Sequence, residues 1–252
     1  MREEWITSRK NPLLVQIRRL ASSRGARRSA GMFLGDGVKL LEEALKWGAP
    51  LETVVYSEGL DGPELPPEVR TVRVPEDVMA SISPMESPQG ALFLCRMWDT
   101  APPPRLEGGR YLVLDGLQDP GNVGTIWRTA DALEADGLLL VHGCADPFGP
   151  KVVRATMGAC FRLPVWETGP ERLAGLLERS GLALYATALR EDTEDIKTAD
   201  LSRSAVVIGS EGRGVSPELL AMSQRALKIP MRERCESLNA AAAAAVVLWE
   251  MG

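Results

Sequence analysis

Between residues 111 and 230, short and continuously apolar runs alternate with stretches of helical character, and this alternation confines the fold more than any other feature of the chain. The runs are YLVLD (111–115), GLLLV (137–141), ALYAT (183–187), AVVIG (205–209) and ALKIP (226–230). A strand that is apolar on both sides has to be covered on both faces, and helices between successive strands favour parallel pairing. The fold class read from this pattern is α/β with a parallel sheet. In such sheets ligands bind in the loops at the carboxyl ends of the strands, and there the unusual residues of this chain fall.

Upstream, residues 99–109 (DTAPPPRLEGG) combine three consecutive prolines with a glycine pair. Proline fixes φ and cannot donate to a ladder, so this stretch reads as a semi-rigid linker. The expected organisation is a first domain over 1–98, a linker over 99–109 and a second domain over 110–252. The first domain reads as small and α/β. Leu13, Leu14, Ile17 and Leu20 have helical spacing, as do Val38, Leu41, Ala44 and Leu45, and short apolar strands follow near 53–56, 69–74 and 91–95.

The net charge of −5 argues against nonspecific polyanion binding by the chain as a whole. It hides an asymmetry. Residues 1–28 carry eight basic side chains against Glu3 and Glu4, a net of +6, which leaves −11 on the remainder. Arg9, Lys10, Arg18, Arg24, Arg27 and Arg28 are therefore candidates for nucleic-acid contact, the alternative being a solvated helix face. The single histidine, His142, removes multi-histidine metal sites and makes any Ser-His-Asp triad depend on one residue, so no metal is expected. Cys95, Cys144, Cys160 and Cys235 have no CxxC spacing and read as reduced, mostly buried thiols. The N-terminal residues lack the apolar core of a secretory signal. The alanine-rich run 238–251 is interrupted by Glu250 and too short to span a bilayer. A cytoplasmic protein without a membrane partner is the expectation.

Three loops carry the chemistry. In the first (114–133), a strand is followed by Asp115, Gln118 and Asp119, a Pro120-Gly121 turn and Asn122 as the expected N-cap of a helix bearing Arg128. Apolar neighbours predict a partly buried Arg128, which needs an anionic partner: either a ligand or an ion pair with Asp131 or Asp115. The second loop (206–220) is a strand, a glycine-rich turn and a helix announced by Ser216-Pro217-Glu218. It is not a phosphate loop. Val215 stands where the lysine would be, and Glu211 inside the turn would repel phosphate. A ligand without phosphates and carrying positive charge suits it better. The third loop (229–251) leaves a strand at Pro230 and starts a helix near Ser237 or Asn239. These residues can cap the helix or touch a ligand.

In this order and spacing, DPGNVGTIWRTADAL (119–133), VIGSEGRGVSPELL (207–220) and IPMRERCESLNAAAA (229–243) resemble the three motifs of the SpoU/TrmH family of RNA 2′-O-ribose methyltransferases, within the SPOUT class. The resemblance extends more loosely over ITSRKNPLLVQIRRL (6–20), GMFLGDGVKLLEEAL (31–45) and PQGALFLC (88–95), which look like the family's substrate-binding domain. It implies a parallel α/β sheet with a C-terminal trefoil knot, preceded by a small α/β substrate-binding domain. It further implies a homodimer, S-adenosylmethionine bound in the knot, and a ribose 2′-hydroxyl as methyl acceptor. Gly209, Ile229 and Leu238 match positions that cradle the adenosine, with Thr187, Gly212 and Met231 in adjoining cofactor loops. Arg128 matches the catalytic arginine, and Asn122, Glu211, Ser237 and Asn239 the polar set around it. A guanidinium stays protonated in proteins, so Arg128 is expected to orient the target and stabilise the developing alkoxide, next to the cofactor of the other subunit. Ribosomal RNA is the implied substrate. The alternatives are transfer RNA, a non-catalytic RNA-binding protein on the same fold, and a nucleotide-dependent enzyme using the 209–214 turn.

Overall fold

The computed structural model describes residues 4–188, 193–232 and 237–252, so Cys235 lies outside the described residues. The chain forms two compact units, Met1–Trp98 with Asp146–Phe161, and Asp99–Ala145 with Arg162–Gly252.

In the first unit the elements are β1 (Glu4–Trp5), α1 (Pro12–Ser22), α2 (Arg24–Ala30), β2 (Met32–Asp36), α3 (Val38–Lys46), β3 (Leu51–Ser57), β4 (Arg70–Val74), α4 (Glu76–Ile82) and β5 (Ala91–Arg96). Among the described residues the strands form a mixed sheet in the order β1-β4-β3-β5-β2. Helix α1 starts where Asn11 accepts from the Leu13 amide at 2.9 Å and Pro12 presets φ. It buries Leu13, Leu14, Ile17 and Leu20, the spacing visible in the sequence.

Helix α2 (RGARRSA) has no apolar period and is held differently. Ser23 accepts from the Ala26 amide at 3.2 Å, and Gly31 closes the helix in the left-handed region at φ 62°. Arg27 is buried. Its guanidinium donates to Asp146 at 2.6 and 2.8 Å and to the Leu20 carbonyl at 2.6 Å. Its charge is thus neutralised inside the unit and is not offered to solvent, whereas Arg24 and Arg28 of the same helix are exposed. Asp146 belongs to the inserted segment, whose Phe148 and Phe161 pack with Phe33 and Trp98 at ring-centroid distances of 4.8 to 6.5 Å.

The second unit contains β6 (Arg110–Asp115), α5 (Pro120–Ala132) and β7 (Gly137–Val141). After β7 the chain passes through α6 (Pro150–Ala155), which belongs to the first unit and packs on β2. The second unit then continues with β8 (Val165–Glu167), α7 (Pro170–Ser180), β9 (Ala183–Thr187), β10 (Glu194–Asp195), β11 (Ser204–Gly209), α8 (Pro217–Met222), β12 (Arg225–Lys228) and α9 (Ala240–Glu250). Among the described residues the sheet runs β10-β12-β9-β11-β6-β7-β8, and every pair is parallel. The strand order reverses at β6, which pairs with β7 on one side and β11 on the other. In that register Asp115 lies opposite Gly209.

The apolar strand residues Tyr111, Val113, Leu139, Leu184 and Val207 form one core with Leu173, Leu176 and Leu177 of α7 and Leu219 of α8. Trp127 of α5 is fully buried and donates its indole N–H to the Leu163 carbonyl at 3.0 Å. Residues 99–109 are packed within this unit: Leu106 is buried and its amide donates to Ser180 Oγ at 2.9 Å, while the Thr100 carbonyl accepts the Glu167 amide at 2.8 Å. Cys95, Cys144 and Cys160 are buried, and burial pushes the thiols of Cys95 and Cys144 up to about 12 and about 11. Among the described residues no helix is long and apolar enough to cross a membrane, and no group of three or more His, Cys, Asp or Glu could hold a metal ion.

Candidate functional site

A cavity of about 270 Å³ opens at the carboxyl ends of β9, β11 and β12. Thr187 and Ala188 line it from the end of β9, and Ile208, Gly209, Ser210, Glu211 and Gly214 from β11 and the turn after it. Leu227, Ile229, Met231, Ser237, Leu238, Ala240 and Ala243 complete the wall. The turn is closed by a two-way bridge in which Ser210 and Gly214 exchange backbone hydrogen bonds at 3.1 and 2.8 Å. Gly209 is dictated by this closure, because a Cβ there would lie 2.1 Å from the Gly214 carbonyl carbon. The Thr187 hydroxyl donates to the Val207 carbonyl at 2.8 Å, which ties the end of β9 to β11.

A polar relay crosses the rim. The Asn122 amide donates to Glu211 Oε1, and Asn239 Nδ2 donates to Asn122 Oδ1 at 3.1 Å. The N-cap of α5 is Asp119, not Asn122: Asp119 Oδ1 accepts the Asn122 backbone amide at 2.7 Å. The side chain of Asn122 is thereby free to face the second and third loops. Asn239 does cap α9, accepting from the amides of Ala241 and Ala242 at 2.9 and 3.3 Å, so its Oδ1 serves the helix and its Nδ2 the relay. Helices α5 and α9 pack against each other and bring these three loops to one place.

Seven residues singled out from the sequence line the cavity together: Thr187, Gly209, Glu211, Ile229, Met231, Ser237 and Leu238. Asn122 and Asn239 join them through the relay. Arg128 and Gly212 are not in the wall. The expectation of a partly buried Arg128 is corrected: the side chain is exposed, because its position falls on the solvent side of α5 between the buried turns of Trp127 and Ala130. The two acids expected as its partners are committed elsewhere, Asp131 to Arg162 at 2.7 Å and Asp115 to His142 at 2.6 Å.

That last pairing belongs to a group which sequence reasoning missed. Asp115, almost fully buried, accepts from His142 Nδ1 through Oδ1 and from the Ser216 amide at 2.6 Å through Oδ2. His142 Nε2 reaches Glu218 at 3.2 Å. Hydrogen bonds donated to both carboxylates raise the histidine pKa above its usual value, Asp115 contributing most. The available signal is that Asp115 and His142 stand at the carboxyl ends of two successive apolar runs.

In the first unit a groove of about 860 Å³ runs between α1 and α2, lined by Lys10, Gln16, Arg19, Ser23, Gly25 and Ser29 among others. Arg9, Lys10, Arg24 and Arg28 are exposed on these elements or the turn before them, and Arg18 is half-buried. Arg9 pairs with Asp77 at 2.6 Å in full view of solvent, which holds it only weakly.

Residues 109–249 match the SpoU rRNA Methylase family model, and residues 11–92 match the MRM3-like substrate binding domain. The chain is 37% identical to an uncharacterized tRNA/rRNA methyltransferase of Synechocystis, over 97% of this chain and 92% of that one. It is 32% identical to the 23S rRNA (guanosine(2553)-2'-O)-methyltransferase RlmP of Bacillus subtilis, over 98% of both chains. The crystal structure of an AdoMet-bound rRNA methyltransferase from Sinorhizobium meliloti superposes with a TM-score of 0.86 at 31% identity, covering 98% of this chain and 97% of that one. A parallel sheet whose second and third loops line one cavity while Asn122 of the first is bonded to Glu211, and a family model spanning more than half of the sequence, lead to one conclusion: this chain belongs to the SpoU rRNA methylase family.

Proposed function

We propose that this protein transfers a methyl group from S-adenosylmethionine to a ribose 2′-hydroxyl of ribosomal RNA. The observation that carries the reading is the meeting of Glu211, Asn122 and Asn239 at the rim of a largely apolar cavity. That lining fits the proposed cofactor. Ile208, Leu227, Ile229 and Leu238 suit a nucleoside, and the Glu211 carboxylate is compatible with a cationic centre but hostile to a polyphosphate. The AdoMet-bound relative and the rRNA specificity in the name of RlmP support the same assignment.

In this reading Gly209, Ile229 and Leu238 hold the adenosine, with Thr187, Gly212 and Met231 beside them. When bound, S-adenosylmethionine would supply an electrophilic sulfonium methyl to the ribose oxygen, with S-adenosylhomocysteine as the leaving group and the hydroxyl proton released to water. Glu211 fixes the Asn122 amide, and Asn239 fixes it from the other side, so that Asn122 and Ser237 orient the ribose. The Arg128 guanidinium stabilises the oxygen as negative charge develops on it. Because Arg128 is exposed and outside the cavity wall of its own chain, it acts on the cavity of a second protomer in a homodimer. Trp249 on α9, 72% exposed, is an apolar surface that such a dimer would cover. The C-terminal segment that brings Leu238 and α9 to the 209–214 turn is read as the trefoil knot, and the site of action as the cytoplasm. Exposed Arg9, Lys10, Arg24 and Arg28, with half-buried Arg18, dock the RNA backbone along the α1–α2 groove.

The test is single-turnover methylation of ribosomal RNA and of transfer RNA with labelled S-adenosylmethionine, followed by mapping of 2′-O-methyl sites. Methylation of one ribosomal position is expected. Label confined to transfer RNA would replace the substrate assignment, and no transfer to either, with cofactor bound, would favour a non-catalytic RNA-binding role.

A further inference from the structure

His142 stands outside the three signature loops, yet it is bonded to the structure that shapes the second of them. Carboxylates accept and do not donate, so His142 must donate from Nδ1 to Asp115 and from Nε2 to Glu218 for both hydrogen bonds to exist. Making both donations at once requires the imidazolium. Asp115 and Glu218 are the charged groups that face the ring among the described residues, one from the end of β6 and one from α8. The second oxygen of Asp115 holds the Ser216 amide at 2.6 Å. Ser216 lies two residues beyond the Ser210–Gly214 bridge that closes the turn carrying Glu211. The backbone at His142 is held at φ 53°, a left-handed conformation that a non-glycine residue adopts at a cost. The loop itself is tied down, since Gln118 Nε2 donates to the Gly143 carbonyl at 2.6 Å and the Ala145 amide to the Leu117 carbonyl at 2.8 Å.

We propose that His142 is a positioning residue for the methyl-transfer site: its ring fixes Asp115, Asp115 fixes the Ser216 amide, and Ser216 anchors the turn that presents Glu211 to the cofactor cavity. This inference rests on the reading of that cavity as the S-adenosylmethionine site. The two ring hydrogen bonds differ in weight. The Nδ1 donation goes to a nearly buried carboxylate and survives in the neutral ring, whereas the Nε2 bond to Glu218 is solvent-accessible and exists only while the ring is charged. A group whose pKa is raised on folding contributes below its unfolded value and forfeits that contribution as pH rises through the raised one. The Glu218 bond is therefore present at mildly acidic pH and absent above the raised histidine pKa.

The experiment measures S-adenosylmethionine affinity by calorimetry, and Ser216 amide exchange without cofactor, in the full chain carrying His142→Asn or His142→Gly. Asparagine keeps a donor near the Nδ1 position and tolerates positive φ, and glycine relieves the backbone but removes the donor. His142→Asn is expected to bind within about fivefold of wild type, the difference shrinking as pH rises. His142→Gly is expected to bind about tenfold or more weakly and to exchange Ser216 faster by a similar factor. Wild-type affinity and unchanged Ser216 exchange in His142→Gly would overturn the proposal. So would a glycine variant that outperforms asparagine, since backbone strain would then be the operative effect. If wild type binds no S-adenosylmethionine, the cofactor reading fails, while the exchange comparison still decides the role of His142.

Discussion

Asn122 donates its side-chain amide to Glu211, 89 residues further along the chain, and accepts from Asn239 on its other atom. Asn122→Asp replaces that donor with a second carboxylate beside Glu211. Like charges at hydrogen-bond distance cannot both ionise freely, so one proton is retained to higher pH. The variant should be slower by about 10²-fold in single-turnover rate at neutral pH. It should recover part of that deficit as pH is lowered and the shared proton restores a hydrogen bond. A pH–rate profile parallel to that of wild type would count against the relay.

Arg128 in the isolated chain faces solvent. Arg128→Ala should leave S-adenosylmethionine affinity within about twofold and reduce methyl transfer by about 10²-fold or more. Mixing inactive Arg128→Ala with inactive Asn239→Ala protein should regain activity, because one mixed-dimer site pairs an intact arginine with an intact cavity. Persistently inactive mixtures, despite subunit exchange shown by differential tags, would place the arginine on its own cavity.

The Arg27–Asp146 pair, at 2.6 Å with side chains only 7% and 10% exposed, is buried on both sides. Removing one partner strands the other, so Arg27→Ala should destabilise the chain by about 3 to 5 kcal/mol in urea unfolding. Its effect on the salt dependence of RNA binding should be nil at temperatures where the variant is folded.

The exposed cations behave in the opposite way. Combined Lys10→Ala, Arg24→Ala and Arg28→Ala should cost less unfolding free energy than Arg27→Ala, about 1 to 2 kcal/mol, part of it from the stacking of Arg28 over the Phe148 ring at 5.5 Å. The same variant should flatten the logarithmic salt slope of RNA binding by about two, since each single-strand phosphate left unneutralised removes roughly 0.7 from it. Filter binding between low and moderate salt measures this directly, and an unchanged slope would remove Lys10 and α2 from the RNA surface.

Gly209→Ala places a methyl 2.1 Å from the Gly214 carbonyl carbon, where backbone and not a flexible side chain must yield. We expect about 1 to 3 kcal/mol of destabilisation and abolished calorimetric S-adenosylmethionine binding, since the turn cannot close. Retained binding would show that the bridge adapts.

The sheet is legible in the sequence because its central strands are largely apolar: the runs at 111–115, 137–141, 183–187 and 205–209 all fall in strands, and the run at 226–230 is strand as far as Lys228. What escapes has no local signal. β8 and β10 are three and two residues long, and α2 has no apolar stripe because its one buried side chain is an arginine. The burial of Arg27 depends on an acid 119 residues away, and no window along the sequence can contain both. At the site, residue types and order point to the correct loops, but Asn122 reads as a cap only because Asp119, three residues earlier and the true cap, is an equally good one. The His142–Asp115–Ser216 group needs the register between β6 and β7 and between β6 and β11, which exists only once the strands are paired.

The passage of residues Asp146–Phe161 into the first unit has a consequence for how the protein is born. The ribosome finishes residue 98 long before it makes Asp146, Phe148 and Phe161, so the N-terminal unit emerges with Arg27 unneutralised and its aromatic cluster incomplete. It can close only after β6, α5 and β7 have been translated. The second unit is encoded entirely after residue 98, whereas a cut at the proline-rich stretch would yield an N-terminal fragment lacking part of its own interior.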